Sequence, residues 1–185
     1  MADLFVALIH YPVLDRNGRT ITSMITSLDL HDIARSARTY DVRAFYVIHP
    51  LAEQRDFAVK VINHWRFDHG RLFDSRRREA LDLIEVVANL DDAAAAAQTL
   101  SGAAPRLAYT SARAQNGIDF ATLRAQLNLE AAAPVMLMLG TGFGLAPPMR
   151  DRADLILAPI NGPGAYNHLS VRAAAAIMLD RLRGR

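Results

Sequence analysis

Two glycine-rich loops, each following an apolar run, are the residues of this chain best suited to holding a ligand. Val135-Met-Leu-Met-Leu139 runs into Gly140-Thr-Gly-Phe-Gly-Leu145, and Leu155-Ile-Leu-Ala-Pro-Ile160 runs into Asn161-Gly-Pro-Gly-Ala-Tyr-Asn-His-Leu-Ser170. Glycines at the end of a buried strand let backbone approach a ligand closely, and open α/β sheets bind ligands at the carboxyl ends of their strands. A dinucleotide fingerprint is excluded. Gly144 comes one residue early, Pro147-Pro148 disfavours a helix running straight out of the loop, and Ile160 and Asn161 stand where the ribose-binding acid belongs. A phosphate-binding P-loop is excluded because no Gly-Lys-Ser/Thr follows. A site for a nucleotide-like ligand remains, built from the backbone groups of two loops.

Other chemistries find less support. The six histidines are scattered, His64 and His69 have no clear carboxylate partner, and no His-Glu-x-x-His helix occurs, so no metal centre is expected. A serine hydrolase would need a Gly-x-Ser-x-Gly elbow, which is missing; Ser170 stands where it caps a helix. With no cysteine, disulfide and thiol chemistry are ruled out. For moving a proton the chain offers Asp29 and Arg35 on one early helix, and Asp151 just beyond the first glycine loop. Asp151 between Arg150 and Arg152 reads as a surface acid.

Strands must end at these loops for them to work, and the order of elements provides that. Leu4 to Ile9 predicts a first buried strand, and Asn17-Gly18 a turn in the loop after it. Thr26 or Ser27 caps a helix from Leu28 to Tyr40, whose inner face is Leu30, Ile33, Ala34 and Ala37. Asp32, Arg35 and Thr39 fall on its outer face. Val42 to His49 predicts a second strand, then a helix from Pro50 to about Asp68 with Phe57, Val61 and Trp65 on one side. A short helix over 76–81, a strand over 83–87, a helix from Asp91 stopped by Gly102, a strand over 106–110 and a helix over 119–127 follow. After the two C-terminal strands, a last helix runs from about Asn167 to Arg183. This alternation predicts an α/β fold: a mainly parallel sheet of about six strands with helices on both faces, as one domain over 1–185.

Composition narrows the setting. The hydrophobic fraction of 51% against 22% charged excludes a disordered or fibrous chain. Residues 131–149 carry no charge, but three glycines and three prolines make them a core strand and loop, not a membrane span. The start Met-Ala-Asp has no basic region of a signal peptide, so a cytoplasmic protein is expected. The net charge of +2 does not by itself announce a nucleic-acid binder. Arg66, Arg71, Arg76, Arg77 and Arg78, with Trp65, Phe67 and Phe73 interleaved, suit phosphate contact and base stacking, or else form a solvated helix end over a packed core.

Three segments resemble the SPOUT class of S-adenosylmethionine-dependent RNA methyltransferases. Leu137 to Leu145 resembles its second motif. Ala158-Pro-Ile-Asn-Gly162 with Tyr166 to Ala174 resembles the third, and Asp29 to Val42 the first, with Arg35 at the arginine position of ribose 2'-O-methylating members. The whole chain is similar to a small bacterial branch of that class. The resemblance implies a C-terminal trefoil knot, with the last helix tucked through the preceding segment, and S-adenosyl-L-methionine as cofactor. It places the cofactor against Leu139, Gly140, Thr141, Gly142, Gly144, Leu145, Ala158, Pro159, Ile160, Gly162, Asn167, His168, Leu169 and Ser170. It further implies an RNA substrate, tRNA or rRNA, and a homodimer through the last helix and the helix carrying Arg35. The chain departs from the pattern where Thr141-Gly-Phe143 lacks a glutamate, Asp29 replaces an asparagine and His168 another. These departures leave the base and the methylated atom open: Arg35 acts on the hydroxyl, or it positions a phosphate while Asp29 takes the proton. Two other readings stand beside methylation of RNA. One is a non-catalytic protein of this fold that binds RNA or an adenosine ligand, and the other is methylation of a non-RNA substrate.

Overall fold

The computed structural model describes residues 1–67, 74–129 and 131–185. Eight strands and seven helices alternate through them: β1 (Leu4–Ile9), β2 (Val13–Leu14), β3 (Thr20–Ile21), α1 (Ser27–Thr39), β4 (Ala44–Ile48), α2 (Ala52–Arg66), α3 (Ser75–Leu81), β5 (Ile84–Val87), α4 (Leu90–Ser101), β6 (Arg106–Tyr109), α5 (Phe120–Leu127), β7 (Val135–Gly140), α6 (Pro147–Asp151), β8 (Leu155–Ile156) and α7 (Val171–Arg183).

Six strands form one sheet in the order β5-β4-β1-β7-β6-β8, and every pairing in it is parallel. That order follows from apolarity. All six residues of β1 and all five of β4 are buried, as are the first five of β7, so these runs sit where a parallel sheet is covered on both faces. One face packs Leu4, Val6, Leu8, Phe45, Val47, Leu137 and Leu139 under α1, α2, α3, α5 and α7. The other packs Phe5, Ala7, Ile9, Tyr46, Met136 and Met138 under α4 and α6. Helices therefore cover both faces, as the alternation predicts. Because the strands run one way, Ile9, Ile48, Tyr109 and Gly140 end at a common carboxyl edge.

The inner stripe of α1 is as expected: Leu30, Ile33, Ala34 and Ala37 are buried, and the Thr26 hydroxyl accepts from the Asp29 amide to cap the helix. Four expectations need correction. Residues 13–21 form a two-stranded antiparallel hairpin around Gly18 rather than plain loop. Phe57 is 39% exposed, and α2 instead buries Ala58 and Ile62. The eighth strand is only Leu155–Ile156, because beyond it the backbone pairs with the loop before α5: Ala158 N–H donates to Ile118 O at 2.9 Å. The last helix begins four residues later than Asn167, at Val171, where the Ser170 hydroxyl accepts from the Ala173 amide at 3.2 Å.

The arginine cluster is largely occupied within the fold. Arg66 pairs with Asp82 at 2.8 Å, Arg76 with Asp74 at 3.7 Å and Arg78 with Asp82 at 3.9 Å, while Arg77 lies 4.5 Å over the Trp65 ring. Arg71 and Phe73 lie outside the described residues. No helix among the described residues is long and apolar enough to cross a membrane.

Candidate functional site: a cleft at the carboxyl edge of the sheet

Three loops meet at the carboxyl ends of β1, β6 and β7 and enclose a cleft of about 790 Å³. The first leaves β7 through Gly140, Thr141, Gly142, Phe143 and Gly144. It is held from outside by the β2–β3 hairpin: Phe143 N–H donates to Leu14 O at 3.1 Å, and Leu14 N–H to Gly144 O at 2.9 Å. Gly142 has φ +59°, and a Cβ there would sit 3.0 Å from Leu14 O. The loop lies this close to the hairpin only because that residue has no side chain.

The second loop, Ala165 to Ser170, enters α7, whose Val171, Ala174 and Met178 continue the wall. The third, Thr110 to Arg113, leaves β6, and the Thr110 hydroxyl anchors it by donating to Met138 O at 2.7 Å. Asn167 Nδ2 donates to Ala112 O across the cleft at 3.5 Å. Ser23, Met24, Thr26 and Asp29 close the side toward α1, with the Ser23 hydroxyl bonded to the Thr141 hydroxyl.

A pair of buried histidines latches that side to the sheet. Leu51 N–H donates to His49 Nδ1 at 3.1 Å, so Nε2 carries the proton and donates to Ser23 O at 2.9 Å. Ser23 N–H donates to His10 O at 2.9 Å. The rings of His10 and His49 lie 5.6 Å apart. Burial, then the neighbouring His49, lowers the pKa of His10 to about 4. Burial also lowers that of His49, partly offset by its bond to Ser23.

The cleft gathers Leu139, Gly140, Thr141, Gly142, Gly144, Ile160, Asn167, His168, Leu169, Ser170 and Asp29. It does not gather Leu145, which is buried beneath the loop against Val13, nor Ala158, Pro159 and Gly162, which lie along the approach to the second loop. Arg35 stands on the outer face of α1, exposed and away from the cleft of its own chain. Asp29 is engaged on both oxygens: Oδ1 lies 3.4 Å from Arg172 Nε of α7, and the Thr26 hydroxyl donates to Oδ2 at 2.7 Å. Arg172 also reaches Asp32 at 3.4 Å. Helices α1 and α7 are thereby tied at the cleft's rim.

Sequence reasoning missed the β6 loop. The rule that pointed to Gly140, a loop at the carboxyl end of a buried strand, also applies to Thr110-Ser-Ala-Arg113 after Tyr109, but β6 lacks a glycine to draw attention. It missed Ser23, Met24 and Thr26 because only the tertiary fold brings the segment after the hairpin to this edge. No group of three or more His, Asp or Glu able to hold a metal occurs among the described residues.

The cleft suits a nucleoside-sized ligand in volume, in its apolar walls of Leu139, Ile160 and Met178, and in the exposed backbone of three loops. Relatives agree. A protein of Aquifex aeolicus (strain VF5) is 38% identical over 184 residues, covering 99% of this chain and 89% of that protein. A tRNA (guanine-N(1)-)-methyltransferase of Nitratidesulfovibrio vulgaris is 41% identical over 185 residues, with 98% of this chain aligned; the chain spans only 42% of that protein's length. Among solved structures, the SpoU methyltransferase of Streptomyces viridochromogenes superimposes with a TM-score of 0.58 at 17% identity, over 97% of this chain and 58% of that one. The same protein with its cofactor AdoMet gives 0.52 at 18% identity, over 98% and 57%. At that identity the likeness shows the fold, which is the SPOUT fold. A family described as SAM-dependent RNA methyltransferase matches residues 3–184, and this chain therefore belongs to the SAM-dependent RNA methyltransferases.

Proposed function

We propose that residues 1–185 act as one methyltransferase unit that binds S-adenosyl-L-methionine in the cleft and methylates tRNA on a ribose 2'-hydroxyl. The observation that carries this reading is the meeting of three loops, 110–113, 140–144 and 165–170, around one cavity at the carboxyl edge of the sheet. Bound there, the sulfonium cofactor supplies an activated methyl group. The residues of the chain hold the ligand by backbone groups, orient it and keep water from its reactive end. Asp29, whose Oδ1 faces Arg172 of α7 and whose Oδ2 accepts from the Thr26 hydroxyl, ties α1 to α7. We read it as a positioning residue rather than the base.

The names of the relatives support tRNA as substrate. Guanine N1 specificity belongs to a protein of which this chain spans 42%, and is not carried over. The ribose hydroxyl rests on the likeness of the first segment and its Arg35. An exposed Arg35 serves such a site from a second copy of the chain, so the active form is a homodimer paired through α1 and α7. The exposed Leu28 and Leu169 give that pairing an apolar surface. We read the protein as cytoplasmic, in keeping with an RNA substrate of this kind.

The trefoil knot belongs to the same proposal. It is supported by the way residues 157–167 run against 110–118, through the Ala158–Ile118 and Asn167–Ala112 bonds. Mass spectrometry of nucleosides from a deletion strain and its parent tests the function. Loss of one 2'-O-methylated nucleoside from tRNA is expected. A loss confined to rRNA or to a base-methylated nucleoside replaces the substrate or the atom, and unchanged RNA overturns the reading.

A further inference from the structure

Three aromatic rings stand at the mouth of the cleft, on two different loops. The Phe143 ring lies 6.4 Å from that of His168, edge to face at 85°, and His168 lies 6.3 Å from Tyr166, tilted by 43°. Tyr166 is 83% exposed and Phe143 46%. Aromatic surface left in water is a loss that a partner's apolar or π surface recovers. The cofactor is not that partner. A ring exposed to this extent does not form the inner wall, which Leu139, Gly140, Ile160 and Met178 build. Arg113 lines the same cleft from the β6 loop, exposed and with no ion pair to a carboxylate among the described residues.

We propose that this rim receives one unpaired nucleobase of the RNA beside the bound cofactor, stacked on Tyr166 and Phe143, with Arg113 meeting an adjoining phosphate. The inference rests on the methyltransferase reading above and adds to it the form of the substrate: a base in a single-stranded loop, or one turned out of its helix. A duplex offers its bases only edge-on, whereas a stacking platform needs a free face. Every base has such a face, so the rim selects for an unpaired base and not for its identity.

The test uses the protein loaded with S-adenosylhomocysteine. Fluorescence anisotropy follows binding of a short oligouridylate and of an RNA duplex of equal length, with Tyr166→Ala, Phe143→Ala and the conservative Tyr166→Phe beside the wild type. The wild type should prefer the single strand, and each alanine variant should weaken that binding about tenfold. Tyr166→Phe should stay within about twofold of the wild type. Calorimetry should give S-adenosylhomocysteine affinities that agree among all four proteins. Any of four results overturns the proposal. These are no preference for the single strand, unchanged single-strand affinity in Tyr166→Ala, cofactor affinity falling in parallel, which makes the rim a cofactor wall, or variants that sediment at half the wild-type mass, which makes it a subunit interface. Failure of the underlying reading looks different: the wild type then binds no S-adenosylhomocysteine. The RNA titrations are in that case read on cofactor-free protein, where retained selectivity that Tyr166→Ala abolishes supports the rim and anything else overturns it.

Discussion

His10 is a neutral base enclosed at the end of the central strand, and that makes the stability of the protein sensitive to mild acid. Its folded pKa of about 4 lies below the ordinary histidine value of 6.5, so between those limits the unfolded chain binds a proton that the folded one refuses. Stability is full above about pH 6.5 and falls as the pH drops toward 4, by at most ~1.4 kcal/mol per pH unit for this residue. His49 adds to the fall in the same direction. Urea midpoints at pH 7 and pH 5 should differ clearly in the wild type and less in His10→Leu; equal differences would show that His10 is not the source. The Asp29–Arg172 pair gives a second prediction at this scale. Arg172→Ala should cost about 1 kcal/mol, lowering Tm by ~2–4 °C, and its combination with Asp29→Ala should cost less than the sum of the two single losses, because both remove the pair they share while each also loses a contact of its own, to Asp32 and to Thr26. Additive losses would mean the two act separately. The sequence shows Arg35 facing outward, because helical periodicity alone decides that. It does not show that Arg172, more than a hundred residues on, occupies Asp29.

Gly117 marks the place where two connections cross. A Cβ there would sit 2.6 Å from Ala158 N and 2.7 Å from the Leu157 carbonyl carbon, both main-chain atoms that cannot turn aside. Gly117→Ala should therefore destabilise by about 1–3 kcal/mol or more, read as a shifted denaturant midpoint. A variant as stable as the wild type would show that the segments are not locked together. The same crossing explains why β8 is short: Leu157 N–H still donates to Tyr109 O of β6, but Ala158 N–H turns to Ile118 O, where an apolar run alone reads as a longer strand. The long buried strands, the cap at Thr26 and the stripe of α1 were legible because burial and periodicity are local signals. The β2–β3 hairpin was not, since its pairs are few and part of its support comes from Gly144 and Ala146 of a distant loop.

At the scale of the whole molecule, a homodimer through α1 and α7 predicts that sedimentation at micromolar concentration gives a single species of twice the mass of one chain. A species of one chain's mass removes both the dimer and the service of Arg35 to a neighbouring site. The parallel sheet and the position of its glycine loops followed from sequence patterns. The cleft's third wall and its aromatic mouth did not, because they depend on which strands lie side by side. If this cleft binds S-adenosylmethionine and delivers its methyl group to tRNA, filling the cleft must stop the transfer. Transfer of radiolabel from S-adenosyl-[methyl-³H]methionine to tRNA of a deletion strain, by the wild type and by Ala112→Trp, tests it most directly. Ala112 is exposed inside the cleft, so a tryptophan there fills the ligand's space without crowding the core. Labelled tRNA is expected with the wild type, and at least a tenfold loss, about 1.4 kcal/mol, with a folded variant. Equal labelling by the two proteins, or none by the wild type, would contradict it.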